Sequence, residues 1–134
     1  MSKTTTPLKP VLNFLSQHEP FMGMLPAHQE YLAMHLEQVF YARGEDVIVP
    51  EDGVVNSLYI VKHGCIIEQA ADRTGSCRYS KGDCFPVYWL MHKQAIPFAL
   101  SAQKTTICFR LREADFEYLM QQSPIFHVFY ANNK

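Results

Sequence analysis

Apolar residues recur at helical spacing near both ends of the chain and at strand spacing between them. Val11, Leu12, Phe14 and Leu15 form a stripe with a period near four over 10–18, which predicts a helix. A second helix is expected from Pro26, a residue suited to the first helical position, with Tyr31, Leu32, Leu36 and Val39 on its apolar side. Glu19-Pro20 is the turn between the two. From Gln38 the period changes. Val39 and Tyr41, then 47–49, 58–61 and 65–68, are short runs rich in β-branched or aromatic residues, separated by Arg43-Gly44-Glu45-Asp46, Glu51-Asp52-Gly53 and Lys62-His63-Gly64. Asp72-Arg73-Thr74-Gly75-Ser76 predicts a further hairpin turn, and 76–79, 99–102 and 107–111 three more strands. Such even spacing predicts an antiparallel roll or barrel. Arg112-Glu113-Ala114-Asp115 then opens a helix with its acidic residues first and Phe116, Leu119 and Met120 on one face.

The stretch Gly82-Asp83-Cys84-Phe85-Pro86-Val87-Tyr88-Trp89-Leu90 begins with a Gly-Asp turn between two strand-like segments and continues as an apolar, aromatic run. Between Asp83 and Lys93 no side chain carries a full charge. Together with Tyr41-Ala42-Arg43-Gly44-Glu45-Asp46-Val47-Ile48, Ser57-Leu58-Tyr59-Ile60-Val61-Lys62-His63-Gly64 and Leu111-Arg112-Glu113-Ala114-Asp115-Phe116, this stretch resembles the cyclic nucleotide-binding domains, over nearly the whole chain from about Leu12 to Pro124. The resemblance implies an α+β domain that is mainly β: a β-roll or jelly roll with N-terminal helices and a C-terminal helix. It implies one domain over 1–134, with a flexible start over 1–10, helices over 11–37, the roll over 38–111, a phosphate-binding cassette at 82–98 and a helical segment over 112–130. The pocket residues it implies are Gly82, Asp83, Phe85, Pro86, Val87, Tyr88, Trp89, Ile96 and Phe98.

In that family the cassette reads Gly-Asp-x-Phe-Gly-Glu, with an Arg about ten residues on. Here Pro86 and Val87 stand where the family has Gly-Glu, and Ile96 falls about where it has the Arg. A cyclic phosphate has a fixed negative charge, and a buried sugar hydroxyl needs an acceptor; a guanidinium and a carboxylate supply the two. Losing one partner of a buried charge pair costs ~2–5 kcal/mol, which moves a ligand of ~1 μM affinity toward millimolar. The degenerate cassette implies a module that does not bind cAMP or cGMP in the usual way. Within the family it most resembles the N-terminal sensory modules of bacterial signal-transduction proteins, which precede paired cystathionine-β-synthase-type domains and a nucleotidyltransferase-like domain.

Composition narrows the functional classes further. With 134 residues, 48% of them hydrophobic, the chain has the size of one domain with one core. Twelve Lys and Arg against thirteen Asp and Glu leave a net charge of −1, so no basic footprint for nucleic acid or an anionic membrane is present. The longest apolar runs, 85–91 and 125–130, are too short for a membrane span, and the start lacks a signal-peptide apolar region; a cytoplasmic location is expected.

Cys65, Cys77, Cys84 and Cys108 include no Cys-x-x-Cys pair and sit among apolar residues, which predicts four free, mostly buried thiols. The six histidines lack metal-ligand spacing: His28 and His35 share a helical face, and nothing else about them points to chemistry. A jelly-roll metalloenzyme would need clustered His and carboxylates on facing strands, and the strands supply only Glu68 and scattered singles, so no catalytic residue, metal or cofactor is expected.

Two classes remain. One is a regulatory module for an unknown small molecule or nucleotide, transmitting through its C-terminal helix. The other is a dimerisation or interaction domain whose pocket is filled by Phe85, Tyr88, Trp89 and Phe98. The apolar run Pro124-Ile125-Phe126-His127-Val128-Phe129-Tyr130 either packs back on the roll or meets a following domain or a second subunit. Sequence beyond Lys134 would separate these architectures.

Overall fold

The computed structural model describes residues 7–68 and 77–132. The predicted hairpin turn at 72–76 and residues 1–6 of the expected flexible start over 1–10 lie outside the described residues, while 8–10 are corrected to the first turn of a helix. Helix α1 (Leu8–Leu15) follows Pro7 and buries Val11 and Leu15, four apart on one face. A 3-10 turn (Phe21–Gly23) leads to α2 (Pro26–His35), which starts on Pro26 as expected but ends sooner. Leu36 is its C-cap, in extended conformation, and Val39 belongs to strand β1 (Glu37–Tyr41).

The strands β2 (Asp46–Ile48), β3 (Ser57–His63), β4 (Ile66–Glu68), β5 (Cys84–Phe85), β6 (Leu100–Ala102) and β7 (Thr106–Arg112) complete two antiparallel sheets. Their orders are β1-β7-β3-β5 and β2-β6-β4. The expected strand over 76–79 is seen, among the described residues, only as an isolated bridge between Tyr79 and Ile66. Strand β5, two residues long, lies inside the stretch read as a cassette loop.

Register decides which side chains share a face. Glu37 pairs with Arg110, Arg110 with Tyr59, and Tyr59 with Phe85, so these four residues line one face of the larger sheet. Phe109 and Ile60 point to the other face, where Phe14 of α1 meets Phe109 edge-on at 5.4 Å. Helix α4 (Glu113–Gln122) carries Glu113 and Asp115 in its first turn, where the helix dipole favours them, and buries Phe116 and Leu119. The Tyr31 hydroxyl donates to Asp115 at 2.8 Å and ties α2 to α4. Ser123 accepts from the Phe126 amide at 3.2 Å and so caps α5 (Pro124–Asn132). Of the final apolar run, Phe126 and Tyr130 are fully buried against the domain itself, while Ile125 and Val128 face outward.

The expectation of four free thiols is corrected. Cys65 and Cys77 form a disulfide with Cα atoms 5.6 Å apart, and only Cys84 and Cys108 are free. The turn from β3 into β4 and the return of the chain at Tyr79 bring the two residues together, which their spacing of twelve does not announce.

Gly64 makes the β3–β4 turn at φ 113°, a region that L side chains rarely enter. A Cβ there would also lie 2.7 Å from Thr106 Cα and 2.8 Å from the Thr105 carbonyl oxygen, both backbone atoms that cannot step aside. Gly64→Val is therefore expected to destabilise the domain by about 3 kcal/mol or more, strain and overlap adding. Thermal melting checks this, and an unchanged midpoint would remove the turn assignment.

Candidate functional site

The cassette begins as a turn locked to β3. The Gly82 amide donates to the Val61 carbonyl at 2.8 Å, and the Val61 amide donates to the Asp83 carbonyl at 2.9 Å. The Asp83 carboxylate accepts from the Ser80 amide at 2.8 Å, so this acid stabilises its own turn. Gly82 has φ 92°, and a Cβ on it would run into the His18 ring at the end of α1. Next come Cys84 and Phe85, which point to opposite sides as strand residues must.

Phe85 is fully buried between two rings: Tyr59 stacks on it at 5.3 Å from β3, and Tyr79 at 5.0 Å from beside β4. It bridges the two sheets. Pro86 precedes helix α3 (Val87–Met91), which buries Leu90, leaves Val87 and Trp89 half-buried and turns Tyr88 outward at 44% exposure. Trp89 packs edge-on against Phe98 at 6.2 Å. Of the four aromatics expected to fill the pocket, Phe85 is core, Trp89 and Phe98 pack against it, and Tyr88 is corrected to the surface. A helix of five residues cannot bury all its faces.

The two positions that would bear the ligand-binding charges are apolar and built into the domain. Ile96 is 1% exposed and belongs to the same hydrophobic cluster as Phe85 and Leu90, and Val87 packs against that cluster. Neighbouring cations have other engagements. Arg110, on the same face as Tyr59 and Phe85, donates through Nε to Glu37 at 3.0 Å. Lys93, which follows the C-cap of α3 at φ 54°, donates to Glu113 at 2.7 Å and Glu117 at 2.6 Å on α4; the two carboxylates push its pKa up. The Arg78 guanidinium lies over the Tyr79 ring at 5.4 Å.

On the other side of β5, Cys84 Sγ lies 3.1 Å from the hydroxyl of Tyr130, which is fully buried in α5. Burial pushes the Cys84 thiol up to about 12, against the opposing hydrogen bond from Tyr130, and raises the Tyr130 hydroxyl well above its usual range. A cavity of about 480 Å³ opens here, lined by Arg78, Tyr79, Asp83, Cys84, Val87 and Tyr130 among others. The cassette is thus tied at its start to α5 through Cys84 and, just after α3, to α4 through Lys93. Sequence reasoning missed both ties, which join residues twenty or more positions apart, and missed Tyr59 and Tyr79, whose rings reach Phe85 only through strand pairing. No cluster of three metal-ligating side chains occurs among the described residues, and none of their helices is long and apolar enough to cross a membrane.

No protein-family model and no curated protein matches the chain. Solved structures do. The regulatory subunit of a cAMP-independent protein kinase A from Trypanosoma cruzi, bound to guanosine, superposes with a TM-score of 0.75 at 21% identity, covering 94% of this chain and 45% of that one. The regulatory domain of Toxoplasma gondii protein kinase A with cAMP gives 0.75 at 16% identity, over 92% and 48%. The sensor domain of the transcriptional regulator DNR from Pseudomonas aeruginosa gives 0.71 at 14% identity, over 87% and 85%. The fold is that of the cyclic nucleotide-binding domains: antiparallel sheets with flanking helices in a jelly-roll-like arrangement. The chain spans about half the length of the kinase regulatory subunits it matches.

Proposed function

We propose that the chain is a non-catalytic regulatory or sensory module of a bacterial, cytoplasmic signal-transduction protein, and that it does not bind cAMP or cGMP in the usual way. The carrying observation is the pair Val87 and Ile96, apolar and packed on the core, with Arg110 and Lys93 already held by carboxylates. A cyclic phosphate entering beside them would lose its hydration without gaining a counter-charge from either position, and the Arg78 guanidinium that lines the cavity is already placed over the Tyr79 ring. In the Trypanosoma cruzi subunit a cAMP-independent regulator of this fold carries guanosine, a nucleoside with no phosphate. That case supports reading the pocket here as one for an uncharged ligand.

Occupancy would be felt at α4 and α5 through the Lys93 and Cys84 ties, which makes the C-terminal helices the output toward a following domain. In the proposed architecture that following part comprises paired cystathionine-β-synthase-type domains and a nucleotidyltransferase-like domain.

The second reading, an interaction or dimerisation domain with a self-filled pocket, draws on Phe85 and Ile96, which leave no room where they sit, and on outward-facing Ile125 and Val128. Thermal melts with guanosine and adenosine, run beside sedimentation over a range of protein concentrations, separate the two. The first reading expects melting to rise with a nucleoside at fixed subunit number. Association without any nucleoside effect would transfer the assignment to the second.

A further inference from the structure

The Cys65–Cys77 disulfide holds a wall of the cassette. Cys65 is 3% exposed, and its backbone is fixed on both sides: its amide donates to Thr106 Oγ1 at 3.1 Å and its carbonyl accepts from the Gln103 amide at 2.9 Å. Cys77 is exposed. Just beyond it, Ile66 and Tyr79 exchange backbone hydrogen bonds of 2.9 and 3.0 Å. Cys77 is therefore two residues from the ring that stacks on Phe85, and Phe85 leads directly through Pro86 into α3. Tyr79 also lines the cavity shared with Tyr130. Opening the bond removes one of two links, the other being the Ile66 pairing, that hold the chain carrying one of the two rings clamping Phe85.

The other cysteines do not compete for this chemistry. Cys108 is fully buried, and burial pushes its thiol, like that of Cys84, up to about 12, so neither offers a thiolate near neutral pH.

We propose that Cys65–Cys77 is a reversible thiol–disulfide exchange site for low-molecular-weight thiols of the glutathione class, and that its state sets how firmly Tyr79 holds the cassette. Exposure selects the sulfur attacked. A thiolate bonds to Cys77 Sγ as the Cys65–Cys77 bond breaks, and the electron pair leaves on Cys65 Sγ, which takes a proton from water. A second thiolate attacks the small-molecule sulfur of the mixed disulfide and releases Cys77 as a thiolate, which is protonated in turn. Two small thiols are oxidised to one small disulfide, and the protein disulfide is reduced to two thiols. The oxidised small disulfide drives the reverse. This rests on the cytoplasmic location proposed above, a reducing compartment in which protein disulfides are characteristically transient and redox-sensing.

The test uses the chain as it is, equilibrated in buffers of graded reduced to oxidised glutathione. Thiols are then alkylated and mapped by mass spectrometry, while emission is read from Trp89, the single tryptophan, half-buried in α3. With labelling done after quenching and denaturation, Cys65 and Cys77 should become alkylated together as the buffer grows reducing, while the free Cys84 and Cys108 are alkylated at every ratio. Trp89 emission should shift to the red with the same midpoint. A Cys77→Ser variant, altered at an exposed position, should sit at the reduced emission value in every buffer. Cys65 and Cys77 open to alkylation at every ratio would overturn the proposal, as would a bond that forms and breaks while Trp89 emission stays still. The wild-type titration decides the matter by itself should the variant fold poorly.

Discussion

Phe85→Ala is expected to destabilise the domain by about 3–5 kcal/mol, the range for truncating a fully buried phenylalanine. Phe85 has no exposed surface and contacts Tyr59 on one side and Tyr79 on the other, so its removal leaves a void that joins both sheets. Neither neighbour can close it freely: Tyr59 is held by strand pairing on β3, and Tyr79 by its backbone bridge to Ile66. Urea unfolding measures the loss. Trp89→Ala should cost less, because Trp89 is only half-buried and meets Phe98 by an edge. A loss at Phe85 below that at Trp89 would place the centre of the cassette in α3 rather than in β5.

An arginine at position 96 is expected to harm the fold. Ile96→Arg places a guanidinium where 1% of the residue is exposed, among apolar neighbours. An uncompensated buried charge costs about 3–5 kcal/mol. The carboxylates of Glu37, Glu113 and Glu117 are already engaged with Arg110 and Lys93. Chemical denaturation of the variant, with and without cAMP, reads this directly. Unchanged stability would mean that water and space reach position 96, and the description of Ile96 as core would fail.

Much of the architecture was legible because it rests on local signals. Pro26 marks the start of α2, the glycines at 44, 64 and 82 take the positive φ that their turns require, and the acidic residues of 113–115 open α4. What escaped depends on residues far apart in sequence. Cys65 meets Cys77 only because β4 and the residues before β5 run side by side. Lys93 finds Glu113 and Glu117 only because the chain leaves α3 beside α4. Strand β5 is too short to show alternation, though alternation is what sends Cys84 to Tyr130 and Phe85 to Tyr59. The direction of Tyr88 failed for a related reason: five residues of helix have no periodicity strong enough to choose a face.

We propose that this fold retains the outline of a cyclic nucleotide cassette with its phosphate-binding charges replaced by core. Calorimetric titration of the chain with cAMP and with cGMP tests it most directly. No saturable heat is expected below about the millimolar range, the affinity left once a counter-charge worth several kcal/mol is missing. A dissociation constant of about 1 μM or tighter for either nucleotide would contradict it, and would mean that Arg110, Lys93 or Arg78 leaves its partner to meet the phosphate.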